Sequence, residues 1–282
     1  MPAVVTRFAP SPTGRLHLGH AFSALTAWRL AEELGGTCLL RIEDLDAGRA
    51  RPEFEAAIYE DLTWLGLRWP EPVVRQSERA AAYGAALDEL RGLGLAYPCT
   101  CTRRDIAAAL AAPQEGVAAP GVYPGTCRGR TDAPEGAAWR LDLAAAVAHL
   151  GGVEAVWRLG FRETGPEAAG EHAVDPGLLA RTQGDVVLGR KESGAAYHLA
   201  VVVDDAAQGV THVVRGADLL PATPLHRLLQ ALLGLPVPVW HHHRLIRDEA
   251  GRRLAKRDAA RSLAALRDEG VTAAEVRRRL GF

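Results

Sequence analysis

Lysine is almost absent from this chain of 282 residues. Lys191 and Lys256 are the only lysines among 33 basic residues, so arginine supplies nearly all of the positive charge. The net charge is −1, and no overall positive field therefore indicates a nucleic-acid ligand. A functional pattern that falls on one of the two lysines is correspondingly harder to explain by chance.

Long apolar runs are absent as well. No stretch reaches the roughly 18 apolar residues needed to cross a bilayer. The N-terminal sequence MPAVVTRFAPSPTG also lacks the basic-then-apolar order of a signal peptide. We therefore expect a cytoplasmic monomer with no membrane partner. The apolar fraction of 48% and the chain length allow a sizeable core, in one large domain or two small ones.

Cysteine is scarce, and its placement is uneven. Cys38 lies in an apolar run, TCLLRI, and is expected to be a small buried side chain. Cys99, Cys101 and Cys127 lie close together in the sequence. In a cytosolic chain such a group favours metal binding over a disulfide.

The order of predicted elements alternates between strand and helix in the first hundred residues. Apolar runs, Gly and Pro stops and capping residues define the elements. They are a strand over 3–9, a turn at 10–14, a helix over 18–34, a strand over 37–42, a helix over 52–65 and a helix from Ser77 to Leu93. This order predicts an α/β fold with a parallel sheet covered by helices.

The pattern breaks where nine Pro or Gly residues fall between Pro113 and Gly136. We interpret this part as an inserted lobe. Strand patterns return at 185–191, 196–203 and 210–215, a helix is predicted at 224–233, and the last 40 residues look helical and basic. The predicted organisation is a first half of the α/β domain (1–97), an inserted lobe (98–175), a second half of that domain (176–240) and a C-terminal segment (241–282).

The segment from Pro10 to His20 joins the first strand to the first helix. His17 and His20 lie at the helix start with Gly19 between them, where a flat group such as adenine can approach the backbone. The helix N-terminus offers free N–H groups and a positive dipole to phosphate. Histidines there can stabilise a phosphoryl group as its charge grows. The alternative is that both histidines only cap the helix.

The sequence RFAPSPTGRLHLGH followed by LLRIEDLD resembles the opening of the glutamyl-tRNA synthetase family, in which HLGH is the family's form of the HIGH signature. The resemblance implies a class I synthetase with a Rossmann-type parallel sheet and a C-terminal helical segment that contacts an RNA stem. It also implies that Mg²⁺-bound ATP is held by His17, Gly19, His20 and Lys256, with His17, His20 and Lys256 as catalytic residues.

A glutamate site needs a cation for the side-chain carboxylate and an anion for the ammonium group. Arg7 and Glu43 end the first two strands, at the edge where open α/β sheets bind ligands. Arg7 and Arg215 can pair with the γ-carboxylate and Glu43 with the ammonium group. Taken singly, each arginine fits a surface ion pair equally well. The family resemblance implies these glutamate-binding residues: Arg7, Phe8, Ala9, Pro10, Ser11, Glu43, Tyr197 and Arg215.

The sequence GRRLAKRD at 251–258 matches the position of the family's KMSKS loop. Arg253 replaces the first lysine of that motif and Ala255 replaces its serine, whereas Lys256 is kept. Lys256 is the point charge best placed to neutralise ATP phosphates. A solvated basic turn is the alternative. The resemblance also places His242 before this loop, in a supporting role near ATP.

The cysteine pattern is CxC followed by YxxxC. Three thiolates and one further ligand would form a closed tetrahedral zinc site, whose role would be to hold together a lobe with little core of its own. This spacing resembles the glutamyl-queuosine synthetase group, which implies one structural zinc on Cys99, Cys101, Tyr123 and Cys127. Alternatively, Tyr123 only packs there and water or another side chain completes the site; His149 and His172 are the outside candidates.

A complete glutamyl-tRNA synthetase continues into an anticodon-binding domain, whereas this chain ends soon after Asp258. We therefore expect a different way of selecting the RNA. Resemblance to the glutamyl-Q tRNA(Asp) synthetase group implies ATP, L-glutamate and queuosine-bearing tRNA(Asp) as substrates, with glutamate activated without tRNA. Two alternatives stay open: a truncated synthetase that charges a tRNA acceptor end, and an inactive RNA-binding paralogue.

Overall fold

The structure is a computed structural model that describes residues 3–111, 122–190, 194–246 and 261–282. Strands and helices alternate along most of this length. The strands are β1 (Val5–Phe8), β2 (Thr37–Ile42), β3 (Val74–Arg75), β4 (Ala96–Cys99), β5 (Ala138–Leu141), β6 (Phe161–Glu163), β7 (Gly170–His172), β8 (Val187–Gly189), β9 (His212–Gly216) and β10 (Val239–His243). The helices are α1 (Leu18–Glu33), α2 (Pro52–Trp64), α3 (Ala80–Gly92), α4 (Arg103–Ala111), α5 (Leu143–His149), α6 (Val153–Trp157), α7 (Pro176–Thr182), α8 (Tyr197–Ala207), α9 (Thr223–Leu232), α10 (Leu263–Asp268) and α11 (Ala273–Leu280).

The main sheet is a parallel arrangement centred on β1. Strand β2 pairs with β1 and β3 in parallel, and β10 pairs in parallel with β9 and β6. The two sets meet where the Thr211 N–H donates to the Val5 carbonyl (2.9 Å) and the Val5 N–H donates to the Thr211 hydroxyl (2.9 Å). The α/β class predicted from the sequence is confirmed. Parallel pairing places the carboxyl ends of β1, β2 and β9 at one edge.

Helix α1 ends where the sequence predicted. Gly35 has a positive φ of 66°, which a side chain would disfavour. A Cβ at Gly36 would lie 2.2 Å from the Val4 carbonyl oxygen, so only glycine lets the chain turn back into β2 this closely. The next helix also begins as predicted, at Pro52.

Two predicted local features are wrong. The run 196–203 was predicted as a strand, but Tyr197–Ala207 forms α8. A short continuous apolar run does not separate a buried strand from a buried helix, and the β-branched valines favoured the strand. Ser77 was predicted to cap a helix. Instead it lies within a 3₁₀ turn, and its N–H and hydroxyl both donate to Asp44 (2.8 and 2.6 Å).

A second sheet carries the cysteine-rich part of the chain. Strand β5 pairs antiparallel with both β4 and β8. The Ala196 N–H donates to the Leu188 carbonyl (2.8 Å), which connects this sheet to the N-cap residue of α8. The C-terminal helices α10 and α11 bury Leu263, Leu266 and Val276 in the same apolar cluster as α1 and α2. Among the described residues, no helix combines the length and apolar character needed to cross a bilayer.

Candidate active site

A cavity of about 570 Å³ opens at the carboxyl ends of β1, β2 and β9, beside the N-termini of α1 and α8. Every glutamate- or ATP-site residue predicted from the sequence and described by the structure lines it. These residues are Arg7, Phe8, Ala9, Pro10, Ser11, His17, Gly19, His20, Glu43, Tyr197 and Arg215. Lys256, Arg253 and Ala255 lie outside the described residues. The sequence had not singled out the wall formed by 243–246, which also lines the cavity.

The two histidines of HLGH close the start of α1. His17 is the N-cap, and its Nδ1 accepts from the Gly19 N–H (3.1 Å), while His20 Nδ1 accepts from the His17 N–H (3.2 Å). Both Nδ1 lone pairs are therefore used, and the proton of each neutral ring lies on Nε2. His17 and His20 therefore cap the helix and also line the cavity. A Cβ at Gly19 would lie 2.9 Å from the His17 ring, so glycine is needed here for the ring itself.

Asp205, which the sequence analysis had not identified, organises the cavity floor. Its carboxylate accepts hydrogen bonds from Arg7 Nε (3.1 Å), Arg7 Nη2 (3.3 Å) and Arg41 Nη1 (2.7 Å). All three side chains are buried. These cations lower the pKa of Asp205 against the opposing effect of burial. Arg7 already has a full carboxylate partner, so its charge is largely compensated before any ligand arrives.

Glu43 lies directly beyond β2, where its N–H donates to the Pro10 carbonyl (3.0 Å). Its carboxylate pairs with Arg41 Nη2 at 3.2 Å. Burial raises the pKa of Glu43 above its usual value, although Arg41 and Arg7 oppose the shift. A ligand cation beside Glu43 would favour the ionised form further. This end of the cavity is therefore suited to an ammonium group.

Arg215 differs from Arg7 and Arg41 because its hydrogen-bond partners are neutral side chains. Its Nε donates to His242 Nε2 (3.0 Å) and its Nη2 to the Thr223 hydroxyl (2.8 Å). Its Nη1 reaches His226 Nδ1 (3.1 Å) and the Tyr197 hydroxyl (3.4 Å). Among the described residues, no carboxylate forms an ion pair with it, although only 5% of Arg215 is exposed. A buried cation with neutral partners is a site prepared for an anion.

The sequence singled out His242 but did not predict its contact with Arg215. The family position suggested support near ATP, whereas the side chain lies against Arg215. His226 and Thr223 were missed altogether. Their signal was weak, because α9 reads as an ordinary amphipathic helix and gives no reason to single out two of its residues.

The three clustered cysteines come together around a tyrosine. Their Sγ atoms all lie within 4.8 Å of one another, and Cys101 and Cys127 are 3.5 Å apart. The Tyr123 hydroxyl lies 3.4 Å from both Cys99 Sγ and Cys101 Sγ. Tetrahedral zinc–thiolate bonds of ~2.3 Å require sulfur atoms about 3.8 Å apart. The donor set therefore fits one tetrahedral ion with the phenol oxygen at the fourth vertex.

Arg140 brings positive charge to this group, although burial raises the pKa values of Cys101 and Tyr123 above their usual values. Arg140 Nε donates to Cys99 Sγ (3.2 Å), and its guanidinium lies 3.8 Å from the centre of the Tyr123 ring. Burial opposes thiolate formation at Cys127, but hydrogen bonds led by that from Tyr123 lower the pKa of Cys127 to about 6.

Cys38 does not belong to this cluster. It is buried in β2, and burial raises its pKa to about 12. His172 lies apart and contacts the Ala168 carbonyl (2.7 Å).

Comparison with known proteins identifies the family. The model of class I tRNA synthetases (E and Q), catalytic domain, matches residues 3–128 and 172–281. A protein from Rhodobacter capsulatus named glutamyl-Q tRNA(Asp) synthetase is 54% identical over 99% of this chain and 100% of its own length. A protein of the same name from Nocardia farcinica is 47% identical over 92% of this chain and 77% of its own.

Solved structures agree on the fold. A glutamate–tRNA ligase from Elizabethkingia meningosepticum, solved with its amino acid, superposes with a TM-score of 0.70 at 28% identity over 90% of this chain. The chain spans about half the length of that ligase, at 52%. A methionyl-tRNA synthetase from Mycobacterium tuberculosis gives a TM-score of 0.58 at 11% identity, which supports the fold alone.

Proposed function

The chain belongs to the class I tRNA synthetases of the E and Q type, and from this premise we propose that it is a ligase for L-glutamate. It activates glutamate with ATP and needs no RNA for that step. It then transfers the glutamyl group to queuosine in the anticodon of tRNA(Asp). The names of the two relatives above support the choice of glutamate and of this RNA.

The observation that carries the proposal is the charge pattern of the cavity. Arg215 offers a buried positive charge with neutral protein partners, and Glu43 offers a negative charge in the same cavity. A ligand that satisfies both carries an anion and a cation, as glutamate does with its γ-carboxylate and ammonium groups. The neutral amide of glutamine would leave Arg215 uncompensated. Sites built around such a contact discriminate by ~10⁴ or more.

The remaining end of the cavity suits ATP. His17, Gly19 and His20 form the N-terminus of α1, whose positive dipole favours the negative charge of phosphate. The α-carboxylate of glutamate attacks the α-phosphorus of the magnesium complex of ATP. A bond from carboxylate oxygen to phosphorus forms, the bond to the bridging oxygen breaks, and pyrophosphate leaves. Positioning and charge neutralisation are sufficient, since the nucleophile is already ionised at pH 7.

The second step transfers the acyl group. A queuosine hydroxyl attacks the carbonyl carbon of glutamyl-adenylate, an ester bond forms, AMP leaves and the hydroxyl proton is released to solvent. The anticodon stem-loop would occupy the place that an acceptor end takes in ordinary synthetases. In the last turn of α11, Arg277 is bound to the Leu65 carbonyl and Arg279 pairs with Glu275, so the exposed Arg278 offers the charge suited to an RNA stem.

We also assign one structural zinc to Cys99, Cys101, Tyr123 and Cys127. The sulfur spacing, the phenol oxygen and the adjacent Arg140 support this ligand set. Four protein ligands leave no open position, so the ion would hold the lobe together and take no part in the reaction. Arg128 assists by binding Asp185 through Nε (2.9 Å) and Nη2 (2.7 Å), which ties the segment after Tyr123 to the region before β8.

Glutamate-dependent exchange of pyrophosphate into ATP tests the first step. We expect exchange with the purified protein and no RNA, because the glutamate and ATP ends lie in one cavity. Glutamine at the same concentration should support exchange at least about a hundredfold less well. Exchange that requires added tRNA would contradict activation without RNA. The absence of exchange under any condition would favour an inactive RNA-binding paralogue.

A further inference from the structure

Glu163 lies at the end of β6, outside the cavity, with 1% of its surface exposed. One of its carboxylate oxygens, Oε1, accepts two backbone N–H groups, from Gly165 (2.5 Å) and from His242 (2.9 Å). A Cβ at position 165 would lie 2.1 Å from the His242 carbonyl oxygen, so glycine is required for this approach. Both donors belong to the backbone and cannot rotate away. The orientation of the carboxylate is therefore fixed.

The other oxygen, Oε2, faces His242 Nδ1 in a short hydrogen bond. Burial opposes ionisation of Glu163, but the hydrogen bonds from His242 and Gly165 lower the pKa of this carboxyl to about 2. Burial lowers the pKa of His242, so its ring is neutral near pH 7. An ionised carboxylate only accepts hydrogen bonds, and the proton of the ring must therefore lie on Nδ1. The Nε2 lone pair is left to accept the Arg215 Nε–H at 3.0 Å.

The result is a chain from carboxylate through imidazole to guanidinium. The negative charge of Glu163 acts on Arg215 through a neutral ring instead of touching it. On the other edges Arg215 contacts Thr223 and His226, and His226 in turn contacts His198 at 3.0 Å. Burial lowers the pKa of both of these histidines, so these partners add no charge.

We propose that Glu163 is a positioning residue for the amino-acid site: it fixes the His242 tautomer, which orients Arg215 and leaves the charge of Arg215 available to the side-chain carboxylate of the substrate. This role rests on the proposed activation of glutamate. A direct ion pair, like that between Arg7 and Asp205, would instead compensate the cation before glutamate binds.

Glu163→Gln tests the idea because it keeps the shape and removes the charge. The two backbone N–H groups require an acceptor at the Oε1 place, so the amide oxygen must lie there. The amide nitrogen then faces His242 Nδ1 and donates to it. This contact forces the proton onto Nε2, where it opposes the Arg215 Nε–H, and two donors facing each other cannot form a hydrogen bond.

We expect the KM for glutamate in pyrophosphate exchange to rise about ten- to a hundredfold in this variant, with a smaller change in kcat. The KM for ATP should stay within about twofold of the unaltered protein, since the contact from Glu163 through His242 reaches Arg215 and not the histidines at the start of α1. Glu171→Gln is the matched control, because Glu171 lies opposite Arg162 on the neighbouring strand and is exposed. It should leave both KM values unchanged.

Nitrogen-15 NMR of the histidine rings measures the tautomer directly and therefore distinguishes a changed tautomer from a loss of folding. In the unaltered protein we expect His242 to carry its proton on Nδ1, and in Glu163→Gln on Nε2. Finding the proton on Nε2 in the unaltered protein overturns the proposal, as does an unchanged KM for glutamate in a folded Glu163→Gln variant. Absence of exchange in the unaltered protein would overturn the proposed function instead, because the tautomer is measured without substrate.

Discussion

Arg215→Gln is expected to lower kcat/KM for glutamate in pyrophosphate exchange by about a hundredfold or more. The variant removes a buried cavity cation whose described hydrogen-bond partners include no carboxylate. Loss of a buried charged partner costs about 3–5 kcal/mol, which corresponds to a factor between ~10² and ~5 × 10³. Glutamine should then compete better, because the amide at position 215 no longer favours an anion. The comparison of the two amino acids in one assay measures both effects.

Arg162→Gln is the control for this substitution. Arg162 lies exposed on β6 and does not line the cavity, so the same change there should leave kcat/KM within about twofold. Circular dichroism of both variants separates lost folding from lost binding. A decrease of less than about tenfold in a folded Arg215→Gln variant would place Arg215 outside the glutamate site.

Cys101→Ser is expected to abolish zinc binding and RNA modification while pyrophosphate exchange continues. Cys101 Sγ lies 3.4 Å from the Tyr123 hydroxyl and 3.5 Å from Cys127 Sγ, so its loss opens the ligand set. The exchange reaction should persist because none of the four proposed zinc ligands lines the cavity. Metal content after reconstitution with zinc, followed by both assays, measures the separation.

Cys38→Ser is the matched control, because Cys38 is not one of the three clustered cysteines. Cys38 is buried in β2, far in sequence from the lobe, and the exchange of sulfur for oxygen leaves the proposed zinc ligands intact. This variant should bind one zinc per chain. Zinc that neither binds the unaltered protein on reconstitution nor protects its lobe from protease would refute the metal assignment. Cys99, Cys101 and Cys127 would then be reduced packing residues around a core tyrosine.

The contiguous part of the site could be predicted from the sequence. Residues 7–20 and Glu43 end parallel strands or begin the first helix, so their meeting at one sheet edge follows from the topology. Neighbouring positions in a motif share one local geometry. The helix stop at Gly35 and the start at Pro52 follow from local backbone preferences in the same way.

The supporting contacts could not be predicted, because they join residues far apart in the chain. Asp205 meets Arg7 across 198 positions, and Glu163 meets His242 across 79. No local pattern records such a contact. The strand prediction at 196–203 failed for a related reason: α8 is buried along much of its length, so its sequence shows no polar face to reveal the helical period.

The transfer of labelled glutamate to RNA tests the central claim most directly. The protein is given ATP, labelled glutamate and tRNA(Asp) with or without queuosine, and the RNA is cleaved to locate the label. Our account predicts label only on the queuosine-bearing RNA and only in its anticodon fragment. Label at the 3′ end of tRNA lacking queuosine, or no label on either RNA although exchange with glutamate proceeds, would contradict it.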